Sequence, residues 1–311
     1  MTKIAFIYPG QGSQAVGMGE SFLNDETSRR FFQEADSALG FNLSQLMLEG
    51  PQEELTLTYH AQPALLTVSS MITERLNRMG IFPDYTAGHS LGEYSALVAS
   101  GVLPFEKAVN IVHRRGLYMN SAVPAGEGTM AAILGMNSEE LEKLTNEVTD
   151  STGVVQLANL NCPGQIVISG TKAGVEEACR LAKERGAKRA IPLDVSGPFH
   201  SELMHPASQD LSKVLSQSFL EDAKIPVVTN VTAKSETNAV QIQDLLIRQL
   251  YSPVLWEQSV REMIDMGVTV FVEIGPGKVL SGLVKKIDRS VTTLPIFDLE
   301  SFEKAVEELK Q

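Results

Sequence analysis

The spacing of hydrophobic positions changes several times along this chain, and each change marks an element. Near the start, "KIAFIYPG" is an unbroken apolar run closed by Pro-Gly, as in a strand buried on both faces that enters a turn. "ETSRRFFQEADSALG" instead sets Phe31, Ala35 and Leu39 on one helical face and stops at Gly40. "PALLTVSSMITERLNRMG" does the same with Leu65, Val68, Ile72, Leu76 and Met79, which predicts a helix from Pro63 to the stop at Gly80. A short strand, "DYTAG", follows. Two more helices come next, over "LGEYSALVASG" and over "PFEKAVNIVHRRGLYMNSA", the second with Pro104 near its first turn. Strands that alternate with helices in this way predict an α/β fold with a mostly parallel sheet.

The middle of the chain reads differently. "GTMAAILGM" is a strand, "NSEELEKLTNEV" a helix, and "VVQLANLN" and "GQIVISGT" are strands joined by Cys162-Pro163-Gly164. "AGVEEACRLAKERG" is a helix and "AKRAIPLDV" a strand. Strand–helix–strand–strand–helix–strand is the split βαβ, ferredoxin-like order. It predicts a small α+β domain over 127–196, inserted in a large α/β-hydrolase-like domain formed by 1–126 and 197–311. The strands "IPVVTNVT" and "VTVFVEIGPG" and the helices "IQDLLIRQLYSP" and "WEQSVREMIDMG" then complete the large domain. A cleft between the two is where a ligand is expected.

Charge and composition narrow the function classes. The 26 Lys and Arg against 38 Asp and Glu leave a net charge of −12, which disfavours nucleic acid and anionic membranes as general partners. Two cysteines, Cys162 and Cys179, are too few for a disulfide framework and are not spaced as a metal site. The apolar run at the start is too short for a signal-peptide core, and no later run approaches a membrane span. A cytoplasmic protein with no metal and no cofactor is expected. No coiled-coil seam or long exposed apolar strand calls for a partner copy, so the expected state is a monomer.

One stretch suggests chemistry. Gly88-His89-Ser90-Leu91-Gly92 fits G-x-S-x-G between a predicted strand and a predicted helix, the context of a nucleophile elbow. A serine there sits at a helix N-terminus, where backbone N–H groups favour a developing oxyanion. It needs a base. Of the five histidines, His113 reads as a surface residue within a helix and His60 as structural, while His89 would point away from a sharp turn. His200, in "DVSGPFHSELM" at the return into the large domain, stands ahead of these and of His205, though the residues alone leave the choice open. Gln11, in "YPGQGSQ" after the first strand, falls at the sheet edge where ligands collect. Gly10-x-Gly12-x-x-Ala15 formally fits a dinucleotide fingerprint. Pro9 before the first glycine, and the lack of an acidic residue after a second strand, count against it. Arg114 and Arg115 form a helical pair that reads as a solvated face unless one turns inward to grip a carboxylate. "EIGPGKVL" is a second Gly-rich strand-to-helix turn without P-loop spacing.

With these residues assembled, the chain resembles the malonyl-CoA:acyl-carrier-protein transacylases. The resemblance runs from "FIYPGQGSQ" to "EIGPGKVLSGL" through "AQPALL", "GHSLGEYSAL", "RRG", "AVPAGEGTMAAILG", "NCPGQIVISG", "GPFHS" and "RQLYSPVLW", in order and over nearly the whole length. It implies that Ser90 is the acylated nucleophile and His200 its base. It implies an oxyanion hole from the backbone N–H groups of Gln11 and Leu91, and a malonyl carboxylate bound by Arg115. The backbone carbonyl of Gln249 would orient His200, and Asn161 and Gln165 would face the cleft from the hairpin. The implied partners are malonyl-CoA, CoA and an acyl carrier protein, expected to be acidic, for which Lys183–Arg189 and Lys285–Arg289 are candidate basic docking runs. A serine esterase or thioesterase using the same elbow is the rival reading. A non-catalytic binding subunit would need Ser90 or His200 to be missing.

Overall fold

The computed structural model describes residues 2–310. β1 (Lys3–Tyr8) is followed by four helices, α1 (Glu26–Leu39), α2 (Leu43–Glu49), α3 (Gln52–Thr56) and α4 (Thr58–Arg78). β2 (Tyr85–Gly88) leads into α5 (Gly92–Ala99) and α6 (Phe105–Ser121). The middle comprises β3 (Gly128–Leu134), α7 (Ser138–Ser151), β4 (Val155–Cys162), β5 (Gln165–Thr171), α8 (Lys172–Glu184) and β6 (Arg189–Pro192). Then come α9 (His205–Ser216), β7 (Val227–Val228), β8 (Ser235–Glu236), α10 (Ala239–Gln249) and α11 (Trp256–Asp265). β9 (Val268–Ile274), α12 (Val279–Ile287), β10 (Thr292–Ile296) and α13 (Leu299–Leu309) complete the chain.

The large sheet has the order β10-β9-β1-β2-β7-β8, parallel except for the β7/β8 pair at its edge. β1 lies inside it, which explains its unbroken apolar run. Phe6 and Tyr8 join one core, built on α1, α4 and α6, while Ala5 and Ile7 join the other, with Trp256, Val260 and Leu283. A strand buried on both faces has no position for a polar residue. The mixed α/β fold with a mostly parallel sheet expected from the sequence is the one observed.

The second sheet is antiparallel, ordered β4-β5-β3-β6, with α7 and α8 packed on it through Leu141, Leu144, Val148, Val175, Ala178 and Ala182. Its edge strand is tied to the large sheet's side of the molecule. The Leu160 N–H donates to the Val254 carbonyl at 2.9 Å, and the Val254 N–H donates to that of Ala158 at 2.8 Å. No helix among the described residues is long and apolar enough to cross a membrane.

The helix expected from Pro63 begins five residues earlier, at Thr58, and Pro63 lies inside it. An internal proline withdraws the N–H that would bond the carbonyl four residues back. That carbonyl belongs to Tyr59, and the His113 Nδ1–H takes it at 2.8 Å. His113 is therefore a half-buried strut between α4 and α6, not the surface residue its position suggested. Three residues on, a Cβ at Gly116 would lie 2.5 Å from the Tyr59 Cα, so glycine is what lets the two helices approach this closely.

Candidate active site

β2 ends at Gly88 and α5 starts at Gly92, and the turn between them is tight enough to exclude side chains. A Cβ on Gly88 would come within 1.9 Å of the Gly92 carbonyl, and one on Gly92 within 2.1 Å of the Tyr8 carbonyl oxygen. Ser90, between them, has φ 52°, left-handed backbone that a non-glycine residue adopts only where its surroundings hold it. The hold comes from Asn230, which follows β7. Its Oδ1 accepts the Ser90 N–H at 2.8 Å, and its Nδ2 donates to the Gly88 carbonyl at 2.7 Å.

Ser90 Oγ–H donates to His200 Nε2 at 2.8 Å, and the His200 Nδ1–H donates to the Gln249 carbonyl at 2.8 Å. The carbonyl fixes the tautomer in which Nε2 is free to accept a proton. His200 also has positive φ, 58°, and is 3% exposed. Burial, and then the nearby charge of Arg115, push its pKa down to about 3 against the opposing pull of the Gln249 carbonyl. The imidazole is thus neutral at physiological pH, the state a general base requires.

Arg115 turns inward and is 1% exposed, whereas its neighbour Arg114 is exposed. Its Nη1 donates to Gln62 Oε1 at 2.8 Å; its Nη2 donates to Gln249 Oε1 at 2.8 Å and to Ser90 Oγ at 3.2 Å. Nε has no partner among the described residues. Burial lowers the Arg115 pKa, yet a guanidinium stays charged in any protein setting. A buried cation held by two neutral amides, with no carboxylate in direct contact, is poised for an anionic ligand.

These groups open onto a cavity of about 410 Å³, lined by Gln11, Ser90, Leu91, Arg115, Asn159 and His200 and walled by Met119, Met130 and Phe199. Neither the Gln11 N–H nor the Leu91 N–H has a hydrogen-bond partner among the described residues. The Gln11 side chain is engaged elsewhere, donating to Thr58 Oγ1 at 3.1 Å, so what it can offer an oxyanion is its backbone.

The remaining candidates lie around rather than within this group. His89 Nε2–H donates to Asn161 Oδ1 at 2.8 Å, its ring against Trp256, so His89 and Asn161 tie the elbow to the small sheet. Gln165 does not line the cavity. Its Oε1 accepts from Lys286 Nζ at 3.1 Å, and the hairpin residue that reaches the cavity is Asn159. His60 Nδ1 bonds the Glu54 carbonyl, as befits a structural role.

Sequence reasoning missed Gln62, Asn230 and Glu93. Glu93, 1% exposed in the first turn of α5, lies under the elbow, and burial pushes its carboxyl up to about 7. Asn230 lies just after a strand, at the sheet's ligand-collecting edge, a signal that was available. Gln62 and Glu93 sit in helices with no such cue.

With this geometry in place, comparison with known proteins gives a consistent picture. The family model described as "Acyl transferase domain" matches residues 5–299. The chain is 58% identical, over 312 residues covering all of it and 98% of the relative, to a malonyl CoA-acyl carrier protein transacylase of Bacillus subtilis (strain 168). The structure of the malonyl CoA-acyl carrier protein transacylase from Coxiella burnetii superposes with a TM-score of 0.97 at 42% identity, covering 100% of this chain and 98% of that one. A malonyl-transacylase solved in complex with its type II PKS acyl-carrier protein has a TM-score of 0.96 at 42% identity, covering 99% and 100%.

Proposed function

The chain belongs to the acyl transferase domain family, and on that premise we propose that it moves a malonyl group from malonyl-CoA to the phosphopantetheine thiol of an acyl carrier protein. The observation that carries this reading is the buried Arg115 guanidinium, 3.2 Å from the hydroxyl of Ser90 and without a carboxylate partner. An acyl group that ends in a carboxylate, once esterified to Ser90, brings its charge to that guanidinium. An acetyl group cannot, and leaves a buried charge unpaired.

Transfer proceeds in two half-reactions. Ser90 Oγ attacks the thioester carbonyl as His200 Nε2 takes its proton, and the oxyanion forms against the Gln11 and Leu91 N–H groups. The C–S bond breaks, the CoA sulfur takes the proton from His200, and malonyl-Ser90 remains. The carrier thiol then gives its proton to His200, attacks the ester, and Ser90 leaves with that proton. Ping-pong kinetics follow.

The antiparallel order β4-β5-β3-β6 with two helices on the sheet supports reading 127–196 as a ferredoxin-like insert. It also supports a docking face for the acidic carrier. Arg189 pairs with Leu134 across β6/β3, Leu134 with Gln165 across β3/β5, and Gln165 accepts from Lys286. The two basic runs, whose first residues Lys183 and Lys285 are 102 positions apart in sequence, are linked in this way across one end of the small sheet.

Incubation with malonyl-CoA alone, followed by intact mass and peptide mapping, tests the reading. One malonyl group retained on Ser90 and discharged by carrier protein is expected. Malonate released without an adduct would make the protein a hydrolase. Lys286→Glu should slow discharge by the carrier more than acylation by malonyl-CoA. An unchanged discharge rate places docking elsewhere.

A further inference from the structure

The mechanism above leaves a buried carboxyl at the site, that of Glu93, without a task. Glu93 Oε2 accepts the Asn230 N–H at 3.0 Å and Gln249 Nε2 at 2.9 Å, while Oε1 has no partner among the described residues. Burying a carboxylate is costly unless its interactions are used. A helix residue in this place needs no acid for packing alone.

The use lies in the Gln249 side chain, whose two ends face opposite charges. Oε1 accepts from Arg115 Nη2 at 2.8 Å. Nε2 faces only acceptors: Glu93 Oε2, the Ser90 carbonyl at 3.0 Å and Asn230 Oδ1 at 3.1 Å. A flipped amide would set N–H against guanidinium and carbonyl oxygen against carboxylate. From this geometry we infer that Glu93 is a positioning residue, the counter-charge that orients the Gln249 amide and through it aims the Arg115 guanidinium at the acyl carboxylate.

The chain of contacts is continuous. Glu93 accepts from Gln249, Gln249 accepts from Arg115, and Arg115 donates to Ser90 Oγ. A carboxylate at one end of an amide raises the electron density at its carbonyl oxygen, which strengthens the grip on the guanidinium. The compensating charge sits one amide away from Arg115 and not in contact with it. Direct contact would occupy the fork that the substrate needs. Distance through a neutral amide steadies Arg115 and keeps it available.

This inference rests on the malonyl-binding role given to Arg115, and the experiment separates the two. Rates of Ser90 acylation by malonyl-CoA and by acetyl-CoA are measured for the full chain, for Glu93→Gln, for Gln249→Leu, which keeps the backbone carbonyl for His200, and for Arg115→Ala. Assayed at about pH 8, above the value of about 7 to which burial raises the Glu93 carboxyl, Glu93→Gln preserves shape and removes only charge. The malonyl-to-acetyl ratio of kcat/KM should fall by about tenfold in it, mainly through KM for malonyl-CoA, as expected for a charge-assisted hydrogen bond. Gln249→Leu should lower the ratio at least as much, and the double variant should lose no more than Gln249→Leu alone. An unchanged ratio in Glu93→Gln, or equal loss for both substrates, overturns the inference. If Glu93→Gln does not fold, Gln249→Leu decides it by the same ratio. A ratio lost in Arg115→Ala but kept in the other two overturns this inference alone. A ratio kept in all three overturns the malonyl reading as well.

Discussion

Two strand-to-helix turns at the same edge of the large sheet look alike in sequence and do opposite things. "GHSLG" follows β2 and "EIGPGK" follows β9; both are glycine-rich, and both open a helix. In the second, the buried Glu273 carboxylate accepts the N–H groups of Leu280 at 3.0 Å and Ser281 at 2.7 Å. The N-terminus of α12 is therefore filled by the protein's own anion. In the first, the elbow is pinned from below by Asn230, while the Leu91 N–H remains without a partner beside the exposed face of the turn. A helix N-terminus binds a ligand only where the chain has not already satisfied it. The glycines allow the turn; the neighbouring acceptors decide what it is for.

The sharpest way to break the comparison is to exchange the serines' fates. Ser90→Ala should leave no acyl adduct on the protein and lower malonyl transfer by more than about 10⁴-fold, the scale of losing a nucleophile. Ser281→Ala, in the first turn of the helix that the other turn opens, removes a buried hydroxyl with no hydrogen-bond partner among the described residues and should leave transfer within about twofold. Intact mass and steady-state rates measure both. An adduct that persists in Ser90→Ala would move the nucleophile elsewhere.

The glycines themselves give a smaller and graded contrast. A Cβ at Gly92 would stand 2.1 Å from the Tyr8 carbonyl oxygen, backbone against backbone, with no flexible side chain to give way. Gly92→Ala should destabilise the fold by about 3 kcal/mol or more. Gly277 has φ 85° but open space around its Cα, so Gly277→Ala carries only the conformational cost of about 1 kcal/mol. Urea unfolding compares the two. Equal losses would mean that close approach at the elbow is not what demands glycine there.

What could be read from the sequence follows the same division. The alternation of strands and helices is local, so the mostly parallel sheet and the strand and helix order of the middle segment were legible from periodicity. The elbow was legible because G-x-S-x-G is contiguous. The site's framework was not, because its bonds span long separations: Gln62 meets Arg115 across 53 positions, and Asn230 meets Ser90 across 140. Glu93 lies three residues from Ser90, yet a glutamate in a helix reads as solvated face until its burial is known. His113 misled for the related reason that its partner, the Tyr59 carbonyl, is freed only by a proline inside another helix. Gln165 sits on the expected hairpin, but its side chain goes to Lys286, and alternation along a strand cannot tell which neighbour a surface amide will choose.

The finest distinction between the two turns is the sign of their response to acid. Glu273 is pushed above the usual carboxylate range by burial, so the folded state holds its proton more tightly and the group's contribution to stability weakens as pH rises from about 4.5. His200 behaves oppositely. Its pKa is depressed to about 3 in the folded protein and returns to about 6.5 on unfolding, so its contribution is complete above about 6.5 and lost as pH falls toward 3. The His200 imidazole beside the elbow therefore remains unprotonated through mildly acidic conditions. With acetyl-CoA as the acyl donor, kcat/KM for Ser90 acylation should change by less than about twofold between pH 8 and pH 5, once any loss of folded protein is measured and removed. An acid limb centred near 6.5 would show His200 titrating as it does in water. In that case neither its burial nor the charge of Arg115 governs the base, and the elbow would be a more solvated turn than its geometry indicates.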